Sequence, residues 1–125
     1  MQYLYGNTQR GTTPGPEVDI TLSSPRDPSK ATHVVAILDT GADMSAFPER
    51  ALLALGQLAR SSRKIRDTST TVRRATIFAN VIFGEWPLTD QEFAVLPVPY
   101  AIIGRDILNA YSLTFHGPLQ AWQPA

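Results

Sequence analysis

The chain has 125 residues, 43% of them hydrophobic, and its eleven basic residues balance eleven acidic ones. That is enough for one domain with a real core, and it gives no electrostatic pull toward nucleic acid or an anionic membrane. The absence of cysteine excludes disulfides, thiolate catalysis and Cys-based metal sites, and His33 and His116 are too few for a histidine-rich one.

Met1–Gly6 lacks the basic and apolar regions of a signal peptide. No apolar run approaches the roughly 20 residues that span a bilayer. The expectation is a soluble, cytoplasmic protein. Residues 1–16 read as a lead-in and 17–125 as the domain, because Gly11-Thr12-Thr13-Pro14-Gly15-Pro16 is an extended or turning stretch. Glu17 to Leu22 then alternates polar and apolar, which predicts a strand burying Val18, Ile20 and Leu22. Ser23 to Lys30, with two prolines, is a loop, and Thr32 to Leu38 is the next strand.

The run Val34-Val35-Ala36-Ile37-Leu38 reads as a strand buried on both faces, and it stops at Asp39-Thr40-Gly41. A carboxylate there is costly unless hydrogen bonds or partners satisfy it. The position is therefore either a cap or turn, or a working acid. Ser45-Ala46-Phe47-Pro48 breaks the pattern, with Pro48 suited to the first turn of a helix. Glu49 to Leu55 predicts about two helical turns, ended by Gly56.

Residues 57–76 hold Arg60, Arg63, Lys64, Arg66, Arg73 and Arg74 around the polar cluster Asp67-Thr68-Ser69-Thr70-Thr71. This is the pattern of a β-hairpin with its tip near 67–71, projecting from the core because it lacks large apolar alternation. Its charges read either as a solvated hairpin or as a substrate-facing arm that prefers acidic partners. Ala75 to Phe83 predicts a long strand, Gly84-Glu85 a turn, Trp86-Pro87-Leu88 the return and Gln91 to Leu96 a further strand closed by Pro97 and Pro99. Tyr100-Ala101-Ile102-Ile103-Gly104 is a second apolar run cut off by glycine. Arg105 to Tyr111 is helical, with Ile107, Leu108 and Tyr111 on one face. Leu113 to Phe115 is a strand, His116 to Pro118 a turn, and Leu119 to Trp122 an edge or tail strand. Seven or eight strands with two short helices fit a mostly-β barrel or sandwich better than a doubly wound parallel sheet.

The stretches Ala36–Gly41 and Tyr100–Arg105 echo one another, each a buried strand ending in glycine before a helix-forming segment. The echo suggests two copies of one supersecondary unit facing each other around the acid. An Asp-Thr-Gly arises by chance in a chain this long on the order of a few per cent of the time. Its position after a buried strand, with Asp43 following and Ile-Ile-Gly downstream, raises its weight.

Leu38-Asp39-Thr40-Gly41-Ala42-Asp43, together with Ala101-Ile102-Ile103-Gly104-Arg105-Asp106-Ile107-Leu108 about sixty residues later, resembles the retropepsin family of aspartic proteases. The resemblance covers about residues 17–116, and the tail Leu113 to Pro118 is similar to bacterial members. It implies a mostly-β, closed-barrel acid-protease half with one or two short helices. It also implies endopeptidase activity by two carboxylates sharing one proton, without cofactor or metal. The chain has a single Asp-Thr-Gly, so the resemblance implies a homodimer in which Asp39 of each copy forms the dyad. Residues 1–16 would then contribute dimer contacts. Asp39 is the catalytic residue implied. Thr40, Gly41, Ala42, Asp43, Gly104 and Arg105 support it, with Thr40 bonding across the axis, Gly41 presenting its carbonyl to substrate, and Asp43 with Arg105 at positions that form an ion pair in the family. The partners implied are a second copy and a peptide or protein substrate, with no nucleic acid and no membrane.

Asp67, Thr68, Ser69, Thr70 and Thr71 fall where the family has its flap. The chain departs from the pattern there, having no glycine between Gly56 and Gly84. Substrate would add as a strand between flap and floor, with Ala36, Ile82, Leu96, Pro97, Val98 and Ile102 as candidate pocket walls. The bland readings are Asp43 as a turn or N-cap residue, and Arg105-Asp106 as a solvated helix start. Two alternatives to proteolysis are a weak or silent peptide-binding and dimerisation module, and a hard-cation site at Asp39 and Asp43.

Overall fold

The computed structural model describes residues 1–7, 13–56, 58–67 and 70–125, with the side chain of Asp67 outside the description. Part of the lead-in, including Gly11 and Thr12, and Thr68 and Ser69 of the hairpin tip therefore lie outside the described residues.

Strict alternation makes Glu17–Ser23 (β2) a one-sided strand, and Val18, Ile20 and Leu22 are buried as that pattern requires. It pairs antiparallel with Ala31–Leu38 (β3), the apolar run, whose Ala36, Ile37 and Leu38 are buried while Val35 is partly exposed. Tyr3–Leu4 (β1) precedes them. Ala46–Pro48 (β4) leads through a 3-10 turn, Glu49–Ala51, into Leu52–Leu55 (α1), and Gly56 ends the helix at φ +67°. Arg60–Asp67 (β5) and Thr70–Phe83 (β6) form the hairpin, followed by Trp86–Leu96 (β7) and Ala101–Ile103 (β8). Arg105–Leu108 (α2), Leu113–His116 (β9), a 3-10 turn at Gly117–Leu119 and Ala121–Pro124 (β10) complete the chain.

The large sheet runs β2-β3-β8-β4-β7-β6-β5 and closes on itself through β2–β6 pairing between Ile20 and Phe83 and between Ser23 and Asn80. Six strands make the closed barrel; β5 stays outside it, with β6 as its one strand partner among the described residues. Closure satisfies the backbone of both outer strands, and the interior fills with Ile20, Leu22, Phe47, Ile77, Phe83, Phe93 and Ile103.

Three elements differ from the sequence expectation. Ala46-Phe47-Pro48 is a strand, parallel to β7 and bridged to β8, because Phe47 is buried edge-on against Phe93 with centroids 6.0 Å apart. Trp86–Leu96 is one strand instead of two, its register shifting opposite Ala79 to Val81, where Asp90 takes φ +56° and donates its N–H to Asn80 Oδ1. The helix after Gly104 is a single turn, continued by turn hydrogen bonds to Ala110 and Tyr111.

A second sheet, β1-β10-β9, joins the two ends of the chain. Trp122 anchors it: its ring is buried, stacks on Tyr3 at 4.5 Å and lies 6.0 Å from Phe83, while Nε1 donates to the Glu17 carbonyl at 2.9 Å. Burial and the Glu85 carboxylate push the Tyr3 phenol above its ordinary pKa. The pairing of the first strand with the last is a tertiary fact that two residues, Tyr3 and Leu4, do not announce.

Candidate active site

The two apolar runs that echo each other in the sequence are parallel neighbours in the barrel. Ala36, Ile37 and Leu38 pair with Ala101, Ile102 and Ile103 in register. Their turns therefore emerge side by side at the same end. The Asp39 N–H donates to the Ile103 carbonyl at 2.9 Å, so Asp39 is fixed at the last rung of the ladder. The chain then turns tightly instead of extending, with the Ala42 N–H reaching the Asp39 carbonyl at 3.2 Å. Inside this turn the Gly41 N–H donates to Asp39 Oδ1 at 2.8 Å. That bond orients the carboxylate; Oδ2 has no hydrogen bond among the described residues.

The second turn clamps the first. The Arg105 N–H donates to the Ala42 carbonyl at 2.8 Å, and Arg105 Nη1 donates to the Thr40 carbonyl at 2.7 Å. Gly104 lies so close that a Cβ there would meet the Ala42 carbonyl oxygen and the Met44 carbonyl carbon at 2.9 Å each, both backbone atoms. Beneath them sits a polar knot. Ser45 Oγ is buried, accepts from the Gly104 N–H at 2.9 Å and donates to Asp106 Oδ1 at 2.7 Å. Asp106 also accepts from the N–H groups of Ser45 and Ile107 at 3.1 and 3.0 Å.

Asp39, Thr40, Gly41, Ala42, Gly104 and Arg105 are thus brought together. Asp43 is exposed beside them and forms no ion pair with Arg105 among the described residues; the guanidinium is turned to the Thr40 carbonyl instead. Thr40 and Gly41 are exposed, and the Thr40 hydroxyl has no partner among the described residues. The sequence pattern does not mark Ser45 and Asp106 as site residues. The signals were present but weak: a small hydroxyl inside an apolar stretch, and an acid in the first turn after a glycine.

The arm stands across from this turn. Thr70 and Thr71 are exposed on it, and the hairpin closes with Asp67 opposite Thr70. A cleft of about 230 Å³ is lined on one side by Gly41, Ala42, Asp43 and Met44, below by Ala46, Ala94, Leu96 and Ile102, and on the arm by Ile65, Arg66 and Arg74. Of the expected pocket walls, Leu96 and Ile102 line it. Pro97 and Val98 line a separate cavity with Glu49, Arg50 and Pro99; Ala36 is core; Ile82 is half exposed and pairs with Thr21 and Pro87. No group of three or more His, Asp or Glu side chains able to hold a metal occurs among the described residues.

The family model of the retroviral aspartyl protease matches residues 12–116. Among solved structures, EIAV protease complexed with the inhibitor HBY-793 is similar in fold, with a TM-score of 0.61 and 19% sequence identity, covering 86% of this chain and 93% of that one. No curated protein sequence matches the chain.

Proposed function

The chain belongs to the retroviral aspartyl protease family, and on that premise we propose that it is an aspartic endopeptidase whose dyad is Asp39 from each of two copies. The observation that carries this reading is the Asp39 carboxylate itself. It sits at the end of a barrel strand, with Oδ1 held by the Gly41 N–H and Oδ2 left without a bond, on a turn whose Thr40 and Gly41 are exposed. One copy presents half of a site. A two-fold axis through the turn would bring the same surface of a second copy against it, carboxylate to carboxylate.

Two carboxylates that close hold one proton between them. The ionised one takes a proton from a water molecule as the water oxygen bonds to the peptide carbonyl carbon. The carbonyl oxygen takes the proton of the other carboxyl. The dyad still carries one proton, and the intermediate is a neutral gem-diol. The dyad then protonates the amide nitrogen as the C–N bond breaks, and one hydroxyl returns its proton as the carboxylic acid product forms. Thr40 would bond across the axis through its free hydroxyl, and the Gly41 carbonyl would receive the substrate backbone as an added strand. Ala42 and Asp43 would form the adjoining wall, while Gly104 and Arg105 hold the turn in place. The Thr70–Thr71 segment, with Asp67, would close over the substrate.

The test is cleavage of a diverse peptide library by wild type and by Asp39→Asn across a broad pH range, with the oligomeric state measured in parallel. Loss of cleavage with the dimer retained is expected. Specific activity should also fall on dilution through the dimer dissociation range. Unchanged cleavage by Asp39→Asn would overturn the assignment. Dimerisation and peptide binding without turnover in wild type would leave a peptide-binding module instead. No helix among the described residues is long and apolar enough to cross a membrane.

A further inference from the structure

We propose that the cleft selects peptides bearing a carboxylate side chain, which Arg74 binds from the arm with Arg66 at the mouth; this rests on the peptide-substrate reading above. The argument begins with the register of the hairpin. Arg63 lies directly opposite Arg74, and Lys64 directly opposite Arg73. Like charges in directly opposed positions destabilise a strand pair. The folded chain compensates little of this. Arg63 is paired with Glu92 at 2.7 Å, and Arg73 leans on the Ser62 hydroxyl at 3.1 Å. The guanidiniums of Arg66 and Arg74 have no hydrogen bond or ion pair among the described residues. Rules of local stability are broken in this way where a sequence is shaped for something outside the fold.

The direction of the side chains supplies the second half. Arg74 and Ile65 occupy adjacent cross-strand pairs on one face of the hairpin, and both line the cleft beside Gly41. Arg74 is partly buried there. A guanidinium cannot shed its charge, and partial desolvation without a partner is unfavourable. A carboxylate offers it two parallel acceptors. The cleft floor of Ala46, Ala94, Leu96 and Ile102 is apolar and suits the methylene stem of a glutamate. The charged groups lining the cleft are Asp43 on the turn side and Arg66 and Arg74 on the arm side, so an entering carboxylate meets its cationic partners on the arm.

The experiment uses paired peptides that differ only by glutamate or glutamine at single positions flanking the scissile bond. Cleavage is measured with wild type, and binding with Asp39→Asn by fluorescence anisotropy, each at low and high salt. At one position the glutamate peptide should be favoured about 10- to 100-fold in kcat/KM and in affinity, less so at high salt. Arg74→Glu should turn that preference toward lysine, and Arg74→Gln should abolish it. Cleavage in which glutamate and glutamine peptides stay within twofold at every position overturns this inference and leaves the protease reading standing. Discrimination in binding, with no cleavage by wild type, supports the inference and overturns the protease reading. Binding of neither peptide overturns both.

Discussion

The clamp around Asp39 and the arm across the cleft are built on opposite terms. In the clamp the two turns and the polar knot beneath them are tied by bonds within the chain, while Asp39 Oδ2 and the Thr40 hydroxyl stay open among the described residues. Asp39, Ala42, Ser45, Gly104, Arg105 and Asp106 are tied by hydrogen bonds that cross about sixty residues of sequence. On the arm two pairs of like charges oppose each other, and the guanidiniums of Arg66 and Arg74, two residues that line the cleft, have no partner among the described residues. One region is fixed by contacts inside the chain; the other carries two guanidiniums, of Arg66 and Arg74, without a partner among the described residues. A strand attached to the barrel on one side only, as β5 is, can tolerate this, because its side chains do not have to fit the closed core.

The largest expected effect is on chemistry at the clamp. Asp39→Asn should lower peptide cleavage by about 10²- to 10⁴-fold, the usual weight of a general acid–base group. The thermal midpoint should stay near that of wild type, and a large fall in it would make Asp39 a structural residue. Gly104→Ala should come next, because its Cβ would press on backbone atoms of Ala42 and Met44 that cannot step aside singly. A loss of about 1–3 kcal/mol in denaturant unfolding is expected, as for other overpacked positions, together with reduced activity. Ser45→Ala strands the Gly104 N–H and removes a partner of Asp106, at a cost of about 1–3 kcal/mol by the same measurement. Equal stability of Ser45→Ala and wild type would show that the knot beneath the clamp contributes nothing. The smallest effect belongs to the arm, and it has the opposite sign. Lys64→Glu places a carboxylate opposite Arg73 and should raise stability by roughly 0.2–1 kcal/mol. A lowered unfolding midpoint in that variant would erase the contrast between the two regions.

Much of the barrel was legible as local pattern. Alternation from Glu17 to Leu22 and the apolar run from Val34 to Leu38 depend on burial of one face or two; the first survives in the fold, and the second is buried on both faces from Ala36 to Leu38 while Val35 is partly exposed. The hairpin was legible because polar, β-branched residues flank its tip. Ala46–Pro48 was not legible as a strand: a proline at its end and only three residues carry no periodicity, and burial of Phe47 against Phe93 decides the conformation. The ion pair expected between Asp43 and Arg105 shows the same limit. Which acceptor a long guanidinium reaches depends on the path of a turn, and here the Thr40 carbonyl lies within its reach.

By itself the sequence determined a mostly-β chain with one Asp-Thr-Gly at the end of a buried strand and a glycine-terminated echo of that strand downstream. These are local matters, set by periodicity and by the conformational needs of single residues. Tertiary structure alone decided that the two echoing strands lie parallel and in register, so that Gly104 and Arg105 close on the Asp39 turn and Ser45 meets Asp106 beneath it. It also decided that Arg74 turns into the cleft and the first strand pairs with the last. Such contacts join residues far apart in the chain, and no periodicity within one segment records which distant backbone group will satisfy it.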